Sequence, residues 1–200
     1  MNRPLIRYDK KGDQHYDVIS AFIKSVRGSD PDAALHYLAR MIRAGEDPRF
    51  IARRLVILAS EDIGNAAPMG LLVAMSAFHA VERIGMPEAR IVLAQATLFL
   101  AASPKSNSAY LAIENALSDL DRVPPPKVPD HLRDPNSKRH DVDLDEANYK
   151  YPHDFGGWVE QEYLARDHSL SLPYYVPVTC GYEAKLAAFL ETFRRDDPNK

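Results

Sequence analysis

Between Leu71 and Val81 only Ser76 and His79 interrupt the apolar residues, and between Ile91 and Ala102 only Gln95 and Thr97 do. A helix that is apolar on every side has to be covered on every side. Neither run reaches the ~18–20 apolar residues of a membrane span. Each is closed by a breaker, Gly85-Met86-Pro87 and Pro104 respectively. The pair therefore predicts two consecutive central helices, in a thick domain or at a contact between subunits. In the second case the contact draws on residues 69–102, with Leu72, Met75, Phe78, His79, Leu93, Leu98 and Phe99 as candidates. His79 also reads as an ordinary core histidine, because its neighbours are apolar.

The segments around this pair are helical too. Asp13 can cap a helix with Tyr16, Ile19, Phe22, Ile23 and Val26 on one face, and Gly28 fits the positive-φ position past its end. Asp30-Pro31 and Asp47-Pro48 repeat one start signal, a capping carboxylate followed by proline in the first turn. The first of these helices carries Leu35, Leu38, Met41 and Ile42 and stops at Gly45. The second carries Ile51, Leu55 and Leu58 and stops at Gly64. A sixth helix follows Ser106, with Tyr110, Ile113, Leu117 and Leu120 at helical spacing.

The character changes at Arg122. Residues 123–129 read Val-Pro-Pro-Pro-Lys-Val-Pro, and each proline fixes φ and removes a donor, so no helix forms there. Residues 134–149 are polar, and the acidic stretch around Asp145-Glu146 reads as a solvated loop. Tyr149, Tyr151, His153, Phe155, Trp158, Tyr163, Tyr174 and Tyr175 are expected to pin an irregular chain to the helical body. A last helix, from Glu183 to Arg195, carries Leu186, Phe189, Leu190 and Phe193. The expected organisation is a linker over 1–12, an all-α domain over 13–121 and a Pro- and aromatic-rich extension over 122–200.

Motifs for catalysis are missing. The two Lys-Ser pairs, Lys24-Ser25 and Lys105-Ser106, follow Ile23 and Pro104 rather than glycine, so there is no phosphate-binding loop. One cysteine, Cys180, excludes a disulfide framework and multi-cysteine metal sites. No two histidines stand at helical ligand spacing, and His131, His140 and His153, which with Asp154 could build a site in the tail, read rather as surface or packing residues. These readings predict no catalytic residue, no cofactor and no metal. The net charge of −3 gives no global case for nucleic acid, yet residues 1–60 carry net +4 and residues 61–121 net −4. Arg49, Arg53 and Arg54, with Lys105, are the candidates for a DNA or partner contact.

Several segments carry a family resemblance. They are residues 8–35, from Tyr8-Asp9-Lys10-Lys11-Gly12-Asp13 to Ala33-Ala34-Leu35; Ala44-Gly45-Glu46-Asp47-Pro48; and Ile51-Ala52-Arg53-Arg54-Leu55. Ala59-Ser60-Glu61-Asp62-Ile63-Gly64, Ser103-Pro104-Lys105-Ser106-Asn107, His131-Leu132-Arg133 and Tyr149-Lys150-Tyr151-Pro152-His153-Asp154 continue it in order. Together they resemble the C-terminal region of the RarA/MgsA replication-associated recombination ATPases, relatives of the Werner-helicase-interacting protein.

The resemblance implies an all-α bundle similar to the oligomerisation collar of clamp loaders, and a homotetramer. It implies a fragment that is no enzyme itself, with ATP and magnesium bound by an AAA+ core outside it. The parent would be a DNA-dependent ATPase at stalled replication forks in the bacterial cytoplasm, associated with the nucleoid. Its partners would be DNA and fork proteins such as single-stranded-DNA-binding protein, with no membrane. A DNA- or partner-binding module of the same ATPase is the alternative. Residues 134–143 depart from the family's Lys-rich stretch, so no partner contact is carried over there.

Overall fold

The computed structural model describes residues 13–134, 149–165 and 167–194, and over these the chain is all-helical with no strand. Five helices form the body: α1 (Asp13–Arg27), α2 (Pro31–Arg43), α3 (Pro48–Leu58), α4 (Met69–Ile84) and α5 (Ala89–Ala102). Helix α5 touches all four of the others and is the axis of the bundle. Helix α6 (Ser108–Arg122) follows the body, and α7 (Glu183–Arg194) is the last helix of the described residues. The acidic stretch around Asp145-Glu146 lies outside the described residues.

Both Asp-Pro signals act as expected. Asp30 accepts from the Ala33 amide at 2.9 Å and Asp47 from the Arg49 amide at 2.9 Å, each with its proline opening the helix. Asp30→Ala and Asp47→Ala should each cost ~1 kcal/mol, because an orphan amide loses its acceptor. Thermal melts check this, and unchanged midpoints would remove the caps from the account.

Helix ends differ from expectation at one place. Gly45 takes φ +73° at the end of α2, and the Glu46 amide reaches back to the Met41 carbonyl. At the end of α1 the left-handed residue is Ser29 (φ +59°), not Gly28. The Asp30 amide bonds the Ser25 carbonyl and the Ser29 amide the Val26 carbonyl, so the reversal falls one residue later. Both patterns are six-to-one closures; only the first uses glycine.

The core is Phe22 and Val26 of α1, Leu38 and Met41 of α2, Ile51, Leu55 and Leu58 of α3, and Leu93 and Leu100 of α5. Burying each large side chain contributes about 1.5–3 kcal/mol. Tyr16, expected on the inner face of α1, is exposed, and Val18 is buried instead. On α4 the buried positions are the small ones, Gly70, Ala74 and Ala77, with Val81. Val73 and Phe78 pack partly against the core, while Leu71 and Leu72 are exposed.

Candidate assembly surface and the polar hub behind it

Helix α3 does not stop at Leu58. It runs on as a π-helical turn, Ala59–Ile63, before Gly64 reverses the chain at φ +49°. The wider turn carries Glu61 and Asp62 toward α1, where Arg27 Nε donates to Asp62 Oδ1 at 2.6 Å. On the far side the Ser106 amide donates to the Asp62 carbonyl at 2.8 Å. A Cβ on Gly64 would lie 2.7 Å from the Ser106 carbonyl oxygen, so this approach needs glycine twice over. The segments 59–64 and 103–107, forty residues apart in sequence, thus meet as one unit.

Lys105 belongs to that unit. Its ammonium donates to Ser29 Oγ (2.8 Å) and to the carbonyls of Leu100 (3.2 Å), Ala101 (3.0 Å) and Ser103 (2.5 Å). A cation at a helix C-terminus complements the unpaired carbonyls there. Burial lowers its pKa, with Asp62 acting in the opposite direction. As a candidate DNA or partner contact, Lys105 is half-buried, with its ammonium engaged within the chain.

Two buried carboxylates attach the extension. Glu183, the first residue of α7, is wholly buried and accepts from the Ser108 hydroxyl and from Tyr175 Oη (2.7 Å). Burial pushes its carboxyl up, but hydroxyl groups of Ser106, Ser108 and Tyr175 outweigh that and hold it below the usual range. Asp119 of α6 accepts from the Ser171 amide (2.6 Å), Ser171 Oγ (2.8 Å), Tyr174 Oη (3.0 Å) and Arg122 (2.6 Å). The Ser171 amide and Arg122 keep it well below the carboxylate range. Next to Glu183 the Tyr182 amide bonds the Ala66 carbonyl at 2.7 Å, and a Cβ on Gly181 would sit 2.2 Å from that same oxygen. Of the aromatics expected as anchors, Tyr174 and Tyr175 serve, through their hydroxyls. Trp158 stacks on Phe193 with ring centres 5.2 Å apart. Tyr149, Tyr151, His153, Phe155 and Tyr163 are exposed, because the attachment is polar rather than a matter of apolar area.

With its polar groups turned inward, the hub leaves the outer faces apolar. Leu71 and Leu72 of α4 and Ile91, Leu98 and Phe99 of α5 are exposed, Leu72 at 61% and Ile91 at 62%. The described part of the extension does not cover them. Helix α6 is turned inside out: its buried side is Ser108 and Asp119, while Tyr110, Ile113, Leu117 and Leu120 face solvent. Between α4 and α5 a groove of about 390 Å³ runs past Leu72, Ser76, Ala77, Ala80 and Ala96.

The candidate residues divide accordingly. Leu72, Leu98 and Phe99 lie on the open face, with Met75 and Phe78 half-buried beside it. Leu93 is fully buried in the chain's own core, so it is corrected from contact residue to core residue. His79 is exposed and 3.8 Å from Glu82, which corrects the reading of it as a core histidine. Arg49 grips its own cap, Asp47, through two contacts of 3.3 Å. Arg53 is exposed, and Arg54 turns into a second groove between α1 and α3. The described residues hold no group of three or more His, Cys, Asp or Glu that could bind a metal. Sequence reasoning missed Asp119, Glu183 and the outward stripe of α6. The one available signal was Glu183 at the head of an apolar helix, which reads equally as a capping charge.

Known proteins share this chain's pattern. A family model described as the MgsA AAA+ ATPase C terminal matches residues 28–194, and one described as an AAA C-terminal domain matches residues 1–27. Replication-associated recombination protein A of Bacillus subtilis is 51% identical over 175 residues, which is 87% of this chain and 41% of that protein. The protein of the same name from Escherichia coli K12 is 41% identical over 194 residues, 96% of this chain and 43% of its own length. ATPase WRNIP1 of Dictyostelium discoideum is 40% identical over 166 residues, 82% of this chain and 19% of its own length. The chain thus spans less than half the length of each of these relatives.

Proposed function

Because this chain belongs to the MgsA AAA+ ATPase C-terminal family, we propose that it is the non-catalytic assembly domain of a replication-associated recombination ATPase, and that it joins four copies. Both family matches are to C-terminal regions of AAA+ ATPases. ATP and magnesium would be held by the ATPase core of the whole protein, and its work at replication forks, on DNA and with single-stranded-DNA-binding protein, would take place in the bacterial cytoplasm at the nucleoid. Among the described residues no helix is long and apolar enough to cross a membrane.

The observation that carries the reading is the outward apolar side of α4, α5 and α6. Soluble monomers rarely expose contiguous apolar patches beyond a few hundred Å². Identical subunits that cover such a face close with point symmetry. A DNA-binding role is less well supported, since Lys105 and Arg49 are engaged within the chain. Sedimentation at micromolar concentration tests the assembly reading. The expected mass is four times the 22.5 kDa of one chain, and a monomer would overturn the proposal.

A further inference from the structure

Arg54 is a cation without a counter-charge. It stands on α3 and lines the groove of about 490 Å³ between α1 and α3. Its Nε is buried with no hydrogen-bond partner, and no carboxylate among the described residues pairs with its guanidinium. The side chain as a whole is half-buried, so the rest of the guanidinium is open to the groove. A charge held this way is costly until an acceptor reaches it. Ile19 and Ile23, part of the chain's own core, line the same groove and offer none. Helix α1 brings Ser20, Lys24 and Arg27 to the groove at one-turn spacing. Arg27 is already committed to Asp62 and Glu61. Lys24 is exposed, and its ammonium has no ion pair among the described residues.

We infer that this groove binds a phosphate group, with Arg54 of α3 and Lys24 of α1 meeting its charge from the two walls and Ser20 donating its hydroxyl. The guanidinium presents donors along a fixed planar edge, and the ammonium acts as a point charge. A carboxylate is planar, and one guanidinium satisfies both of its oxygens. A phosphate directs its oxygens tetrahedrally, so it can use both walls at once. The net charge of +4 over residues 1–60 gives the field the right sign. No apolar occupant is needed, because Ile19 and Ile23 are covered by the core already. A free phosphate and the phosphate of a nucleic-acid backbone present the same oxygens to these residues. The site does not depend on the assembly reading, since all of its groups come from one chain.

Two titrations of the whole chain test the site: inorganic phosphate against chloride at equal ionic strength, and a short single-stranded oligonucleotide over a range of salt. Wild type should bind at least one of the two saturably. Arg54→Gln and Lys24→Gln should each weaken that binding about tenfold or more, since each removes a charge-assisted contact, and Ser20→Ala should weaken it less. Arg53→Gln, at an exposed neighbour that does not line the groove, should leave it unchanged. Circular dichroism controls for folding; if Arg54→Gln unfolds the chain, the exposed Lys24→Gln carries the test. Oligonucleotide binding whose salt slope falls by about one with each lost cation assigns the site to a backbone phosphate. Binding of inorganic phosphate alone assigns it to a small ligand. The site is overturned if neither probe binds, if binding is indifferent to Lys24 and Arg54, or if an oligoglutamate peptide binds there as tightly as the phosphate probes.

Discussion

Leu72→Glu should reduce the assembly to single chains of 22.5 kDa while leaving its helix content unchanged. In one chain Leu72 is exposed, and substitutions at such positions change stability by only about ±0.5 kcal/mol. Within a contact the same change buries an unpaired charge. Truncating a central contact residue alone costs about 2–4 kcal/mol, and each ~1.4 kcal/mol is a tenfold change in dissociation constant. A glutamate there should therefore move the assembly midpoint by at least ~30-fold. Leu93→Ala provides the contrast. It empties a fully buried site and should cost about 2–5 kcal/mol of folding stability, whatever the assembly does. Sedimentation paired with thermal melts separates the two; equal mass for wild type and Leu72→Glu would exclude the α4 face.

The second large effect is expected at Glu183. Glu183→Ala removes a charged acceptor from the Ser108 and Tyr175 hydroxyls. Hydrogen bonds to charged groups contribute about 1.5–3 kcal/mol each, so the loss of two starts at about 3 kcal/mol. For a domain of this size that lowers the melting midpoint by roughly 6–12 °C. Limited proteolysis should then open the chain between Ser169 and Tyr182, the stretch that Asp119 and Glu183 hold from its two ends. Tyr175→Phe should show a smaller loss in the same direction. The pH dependence follows from the lowered carboxyls of Glu183 and Asp119. Their contribution is fully present above the unfolded values, about 4. It declines as pH falls through the lower folded values, because the unfolded chain takes up protons first. Glu183→Ala should therefore flatten the loss of stability below about pH 4.5. A variant that melts and titrates like wild type would remove Glu183 from its anchoring place.

Local chemistry made much of the body legible. Asp30-Pro31 and Asp47-Pro48 start helices because cap and proline act within three residues of one another, and Gly45 ends α2 within one turn. The outer limits of α4 and α5 were equally readable from their breakers. What each face touches was not. The stripe Tyr110, Ile113, Leu117 and Leu120 has the period of a core face, but periodicity records that one side is apolar, not what lies opposite. The uniform apolarity of α4 concealed a division by size, alanines inward and leucines outward. Asp119 and Glu183 were beyond reach for another reason. Ser171 is 52 residues from Asp119, and Ser108 is 75 from Glu183. Only the tertiary fold joins them. Continuation of α3 as a π turn was hidden too, since nothing in Ala59–Ile63 marks the register change.

Helix α1 falls in one family match and the rest of the body in another. Residues 1–27 match the AAA C-terminal region and residues 28–194 the MgsA region, yet Val18, Phe22 and Val26 are embedded in the common core and Arg27 is bolted to Asp62. The seam between the two family matches is therefore not a mechanical joint. A tilt applied to α1 would therefore turn the five-helix body as one piece instead of being absorbed at residue 28.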